Sequence, residues 1–157
     1  MEEWKKIVTR LQLVPHIEGG YYREIYRSSE RVKNSHLAER NLCASIYYLL
    51  CESDFSRFHR IQSDEIWHYY SGNTRLAIYT LQQGQACRID YLDDESPFLV
   101  VKANTWFSAC LETCSNTYVL AGCTTSPAFD YRDFEIADRQ QLLYNFPESS
   151  VEIVKLT

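Results

Sequence analysis

Polar and apolar positions alternate with a period of two over much of the chain, the pattern of strands whose side chains point to opposite faces in turn. Leu42 to Leu50 is a nearly continuous apolar run and predicts a buried strand, closed by a turn at Glu52, Ser53 and Asp54. Thr74 to Leu81 and Ala86 to Leu92 predict two more, joined by a hairpin at Gln82-Gln83-Gly84-Gln85. A shorter strand follows at Phe98 to Val101, Lys102 to Phe107 reads as a turn entering another, and Tyr118 to Thr124 is a further apolar strand. Strands at this spacing predict an all-β barrel or sandwich. At the two ends the period changes. Trp4, Ile7, Val8 and Leu11 recur at helical spacing and predict an amphipathic helix over 2–13, stopped by Pro15. Asp138 predicts the N-cap of a second helix that carries Leu142 and Leu143 and ends before Pro147.

The densest pattern is Arg57 to Gly72, RFHRIQSDEIWHYYSG, which predicts two strands around a turn at Gln62, Ser63 and Asp64. By parity Arg57, His59 and Ile61 share one face of the first strand. Glu65, Trp67, Tyr69 and Ser71 share one face of the second, with His68 on the other. His59 and Glu65 are therefore expected to point into a barrel mouth walled by Trp67 and Tyr69. Upstream, His16-Ile17-Glu18-Gly19-Gly20-Tyr21-Tyr22-Arg23-Glu24 places two glycines, suited to a bend or a close backbone approach, before a strand running to about Ser28. Ser29 to Asn41 is polar and predicts a rim loop in which His36 is solvated.

Composition narrows the function classes. The 157 residues predict one domain across 1–157, and the aromatic share of 14% falls in the alternating segments, which favours strands. A net charge of −5 without a basic stripe argues against nucleic-acid binding. No apolar run reaches the roughly 18 residues of a membrane helix, and MEEWKKIVTRLQL lacks the apolar centre of a signal peptide, so a cytoplasmic protein is expected. The six cysteines, at 43, 51, 87, 110, 114 and 123, form no Cys-x-x-Cys pair and are expected to be reduced, mostly buried in strands.

The candidate chemistry is acid–base. A histidine beside a carboxylate in an aromatic pocket titrates near working pH, so His59 is the candidate general base and Glu65 its orienter or a second acid. Arg57 or Arg23 offers a planar fork for an anionic group, and Glu18 and Glu24 add carboxylates. Tyr21, Trp67 and Tyr69 offer faces on which a sugar ring or base stacks. The same residues also suit a bracing hydrogen bond, surface ion pairs and plain core packing.

The spacing from Glu65 to Gly72 resembles the second half of the first cupin motif, with His59 where that motif places its first histidine. Val101 to Phe107 resembles a weakened second motif. PHIEGGYYRE, SDEIWHYYSG and AGCTTSPAFDYRDFE are similar to the Cupin-five-type family, whose structural relatives include sugar epimerases of deoxyrhamnose synthesis. The resemblance implies a cupin-type double-stranded antiparallel β-barrel, a jelly roll, with short helices at both ends. Open edges are a liability for such sheets, so a homodimer is expected, with the N-terminal strand exchanged or abutting the partner's sheet, and the residues above predict a pocket for a small molecule. Metal-binding cupins carry His-x-His, Glu and a later His; here Ile61 and Phe107 stand at two of those places. No metal or other cofactor is therefore expected; were one bound, His59 and Glu65 would be its ligands, completed from His16, Glu18 or Glu24. The function this implies is a metal-independent isomerase or epimerase-like enzyme acting on a small polar or sugar-derived substrate. The alternatives are a non-catalytic binding protein and, further back, a metal-dependent oxygenase.

Overall fold

The protein is described here by a computed structural model covering residues 2–33, 38–113 and 115–157; His36 and Cys114 lie outside the described residues. Helix α1 (Glu3–Leu11) ends where Gln12 turns left-handed, so it is shorter than the predicted span. Then follow β1 (Val14–Pro15), β2 (Tyr21–Arg27), β3 (Arg31–Val32), β4 (Arg40–Asn41), β5 (Ala44–Cys51), β6 (Phe55–Arg60) and β7 (Asp64–Gly72). After these come β8 (Leu76–Thr80), β9 (Arg88–Leu92), β10 (Phe98–Val101), β11 (Phe107–Leu111), β12 (Tyr118–Ser126) and β13 (Glu135–Ile136), then α2 (Arg139–Asn145) and α3 (Ser150–Leu156).

The strands form two facing antiparallel sheets, one in the order β1-β2-β5-β12-β7-β10 and one in the order β13-β6-β11-β8-β9, with β3 and β4 as a small separate ladder. This is the jelly-roll arrangement that the sequence resemblance implied. The core lies between the sheets, where Tyr48, Leu50 and Trp67 meet Ile78, Phe107 and Ala109. Helix α1 covers part of the larger sheet, setting Ile7 against Leu49, Cys51 and Leu120. Helices α2 and α3 cover the smaller sheet through Leu142, Ile153 and Leu156, packed on Phe58, Leu81 and Trp106. Asp138 caps α2 as predicted, accepting the Gln141 N–H. Cys51, Cys110 and Cys123 are buried in strands as expected, and no helix among the described residues is long and apolar enough to cross a membrane.

Two irregularities position the site. Strands β6 and β7 follow each other closely but belong to different sheets, so the turn at Gln62 to Asp64 carries the chain across the barrel. Strand β6 also bulges against β11: Phe107 pairs with His59 and Ala109 with Ser56, leaving Arg57 and Phe58 opposite Ser108 alone. The extra residue resets the alternation. Ser56 and His59 both face the interior, Phe58 faces the helices, and Arg57 is exposed. Arg57 and His59 therefore do not share a face, contrary to the parity expectation.

Candidate functional site

A cavity of about 580 Å³ opens between the sheets beside β2. Its floor is supplied from three places. His59 comes from β6, Glu65 from β7 in the opposite sheet, and His16 and Glu18 from the loop between β1 and β2. That loop enters the barrel because of its glycines. Gly19 has φ +121°, and a Cβ there would lie 2.0 Å from the Phe55 carbonyl oxygen; Gly20 has φ +69° and sits against the Leu49 carbonyl. The loop is then pinned on both sides, since the Tyr48 hydroxyl donates to the Gly19 carbonyl at 2.8 Å and the Arg57 N–H to the Glu18 carbonyl at 2.9 Å.

His59 is only 3% exposed, and both its nitrogens are engaged. Nδ1 lies 2.7 Å from the Arg57 carbonyl, which can only accept, so Nδ1 carries the proton. Nε2 lies 3.0 Å from Oε2 of Glu18. The hydrogen-bond partner of His59 is thus Glu18 and not Glu65. Burial is the main cause of the raised pKa of Glu18, about 8, opposed in part by the Ser56 and Tyr48 hydroxyls. Burial likewise lowers that of His59, with Glu65 and the Arg57 carbonyl opposing. At neutral pH the consistent arrangement is a Glu18 carboxylic acid donating its O–H to the lone pair of Nε2. Burial also raises Glu65, to about 7; the His59 charge opposes and the Glu18 charge adds. Two carboxyls poised near neutrality and a histidine that holds a proton between partners are the equipment of general acid–base chemistry.

The remaining candidates divide. Arg23 and Glu24 line the rim of the cavity. Arg23 donates to the Leu11 carbonyl at 3.0 Å and has no carboxylate partner among the described residues, whereas Glu24 is tied to Arg27 at 2.7 Å. Trp67 is buried in the core rather than on the cavity wall, because its ring is clamped edge-on between Tyr48 and Phe107. Tyr69 packs on that same core, away from the cavity. Tyr21 turns to the opposite face, its ring 6.1 Å from Trp4, and its neighbour Tyr22 lines the cavity instead. Arg57 is outside, for the reason of the bulge. His68 does lie on the outer face, beside Phe98, as parity required.

Sequence reasoning named His16 only as a residue that would complete a metal site and left Tyr22, Phe129, Tyr131 and Phe134 out, and all five line the cavity. The last three pack on one another in the loop after β12, and Phe134 reaches the His59 ring at 5.5 Å. Two signals were present in the chain: the alternation of His16 with Glu18 ahead of Gly-Gly, and three aromatics crowded into AFDYRDFE.

The fold raises the question of a metal, and the donor set does not fit one. Ile61 and Phe107 present carbon where ligands would be required, with the Phe107 ring against His59 at 4.2 Å. The nitrogen of His59 that a metal would take is bonded to Glu18. Among the described residues no group of three or more His, Cys, Asp or Glu is placed to hold an ion.

Comparison with known proteins agrees with this geometry at the level of fold. Residues 5–137 match the model of Cupin_5, described as Cupin superfamily (DUF985). A hypothetical protein from Leishmania major is 30% identical, with a TM-score of 0.89 over 98% of this chain and 97% of that one. A Shewanella oneidensis protein is also 30% identical, with a TM-score of 0.87 over 100% and 98%. Oxalate decarboxylase from Bacillus subtilis, at 15% identity and a TM-score of 0.54 over 91% of this chain and 36% of that one, shares the fold alone. No protein of curated function matches the chain.

Proposed function

Because the chain belongs to the Cupin_5 family of the cupin superfamily, and its barrel holds a proton pair where metal-binding cupins have ligands, we propose that it is a metal-independent proton-transfer enzyme. Its reaction is of the isomerase or epimerase type, on a small polar or sugar-derived molecule. The observation that carries this reading is the Glu18–His59 hydrogen bond at 3.0 Å, on the floor of a cavity that also holds Glu65. Glu65, close to half ionised near neutrality, accepts a proton from the substrate. Glu18, kept protonated by burial, returns one, and the Nε2 lone pair of His59 holds that acid in place until water restores its proton. Arg23 at the rim is the cation left to meet an anionic group on the substrate. The sequence resemblance to a family whose relatives include deoxyrhamnose-pathway epimerases adds a reason to begin with sugars, as analogy.

One observation favours a non-catalytic binding protein: the His59 ring is buried and both its nitrogens are bonded, as a structural brace would be. Incubation of the protein in D2O with free sugars, sugar acids and nucleotide-linked sugars separates the two. Deuterium appearing at one carbon, and lost in Glu18→Gln and His59→Ala, is the expected result. Saturable binding with no exchange, equally tight in Glu18→Gln, overturns the enzyme reading.

A further inference from the structure

His16 takes no part in that proton pair, yet its surroundings prescribe one state for it. Its Nδ1 accepts the Glu18 backbone N–H at 3.3 Å, so in the neutral ring the hydrogen sits on Nε2. Edge-on contacts with Tyr22 at 4.5 Å and Tyr48 at 5.9 Å hold the ring in place. Nε2 has no protein partner among the described residues, and the ring lines the cavity. Burial, with the His59 charge second, keeps the imidazole neutral by lowering its pKa to about 4. Oε1 of Glu18 is 3.6 Å from Nδ1, too far for a hydrogen bond, so that carboxyl does not draw the proton back. The cavity floor therefore offers a proton acceptor, a proton donor and a fixed neutral N–H. A preorganised donor in a water-poor site acts most strongly on an oxygen where negative charge develops.

We propose that His16 is a further catalytic residue, the oxyanion-stabilising donor of an enolising site, and that the substrate is an α-hydroxy ketone or aldehyde whose carbonyl oxygen meets its Nε2–H. This rests on the acid–base reading of Glu18, His59 and Glu65. Glu65 takes the proton from the carbon next to the carbonyl; the C–H electron pair becomes the C=C bond and the carbonyl π pair moves to oxygen, facing His16. Collapse of the enolate returns the π pair and takes a proton from Glu18 onto the same carbon. Glu65 ends protonated and Glu18 ionised, and proton exchange with water at the cavity mouth restores both. No oxidant or reductant enters.

The test uses dihydroxyacetone, erythrulose and ribulose, with sugar acids alongside, in D2O, and exchange next to the carbonyl or carboxyl is read by proton NMR. His16→Phe keeps a ring against Tyr22 and removes the donor; His16→Gln keeps an N–H near the place of Nε2. We expect kcat to fall about a hundredfold in His16→Phe with KM little changed, and to recover in part in His16→Gln. The nitrogen-15 spectrum of the unaltered protein is expected to place the His16 proton on Nε2, a readout that needs no variant to fold. Exchange unchanged in His16→Phe, or a proton found on Nδ1, overturns the role of His16 and leaves the acid–base reading standing. Exchange confined to sugar acids overturns the substrate class alone, and exchange with no compound overturns both.

Discussion

At the scale of single residues, a one-residue bulge in β6 and packing in the core decide which side chains face the cavity. Arg57, Trp67 and Tyr69 all carry chemistry suited to a pocket, but Arg57 is turned outward and the other two are built into the core or against it. Arg57→Ala is expected to leave ligand binding and turnover unchanged, because the group that holds His59 is the Arg57 carbonyl and not its side chain; isothermal titration and the exchange assay check this. Trp67→Phe should likewise leave ligand affinity unchanged. Its Nε1 is buried with no hydrogen-bond partner among the described residues, so no hydrogen bond is lost, but the smaller ring leaves a core cavity that should cost about 1–3 kcal/mol in a urea titration. Weakened binding in either variant would mean that these side chains do reach the ligand.

At the scale of elements, the loop between β1 and β2 is the one that makes the site. Gly19→Ala drives a Cβ into the Phe55 carbonyl at a backbone conformation that L-residues rarely adopt. A loss of at least about 3 kcal/mol is expected, together with displacement of Glu18. Gly84 has φ +71° with nothing within 4 Å of its added Cβ, and the same substitution there should cost only about 1 kcal/mol. Comparable losses at both positions would show that close approach to β6 does not matter. Asp138→Ala removes the side-chain acceptor for the Gln141 N–H and should cost about 1 kcal/mol by thermal unfolding.

At the scale of the whole molecule, the buried acids and histidines link stability to pH with opposite signs. Glu18 and Glu65 have folded pKa values raised from 4.5 to about 8 and about 7, so their stabilising contribution is complete below pH 4.5 and is lost as pH rises through those values. His16 is lowered from 6.5 to about 4, so its contribution is present above pH 6.5 and is lost as pH falls towards 4. From pH 4.5 to 6.5 the two effects oppose; from 6.5 to 8 only the carboxyls act, and stability falls. Glu18→Gln should flatten that fall while keeping a donor for His59, measured as unfolding midpoints at pH 6.5 and 8. An unchanged slope would place the Glu18 proton elsewhere.

What the chain determined by itself follows from local alternation and turn chemistry: the longer strands, α1 and α2, the capping Asp138, and the inward direction of Glu65 with the outward direction of His68, but not β3 and β4 in the predicted rim loop, nor β13 and α3. These depend on periods of two and 3.6 residues, which survive in sequence because each strand or helix buries one face. Only the tertiary structure decided the rest. The bulge at Arg57 and Phe58 arises from pairing with β11, distant in sequence. The choice of Glu18 over Glu65 as the partner of His59 arises from a loop whose entry depends on how closely β5 and β6 approach Gly19 and Gly20. Contacts of this kind leave no periodic mark on the chain, since each joins residues far apart along it through a separation that only the packed sheets define.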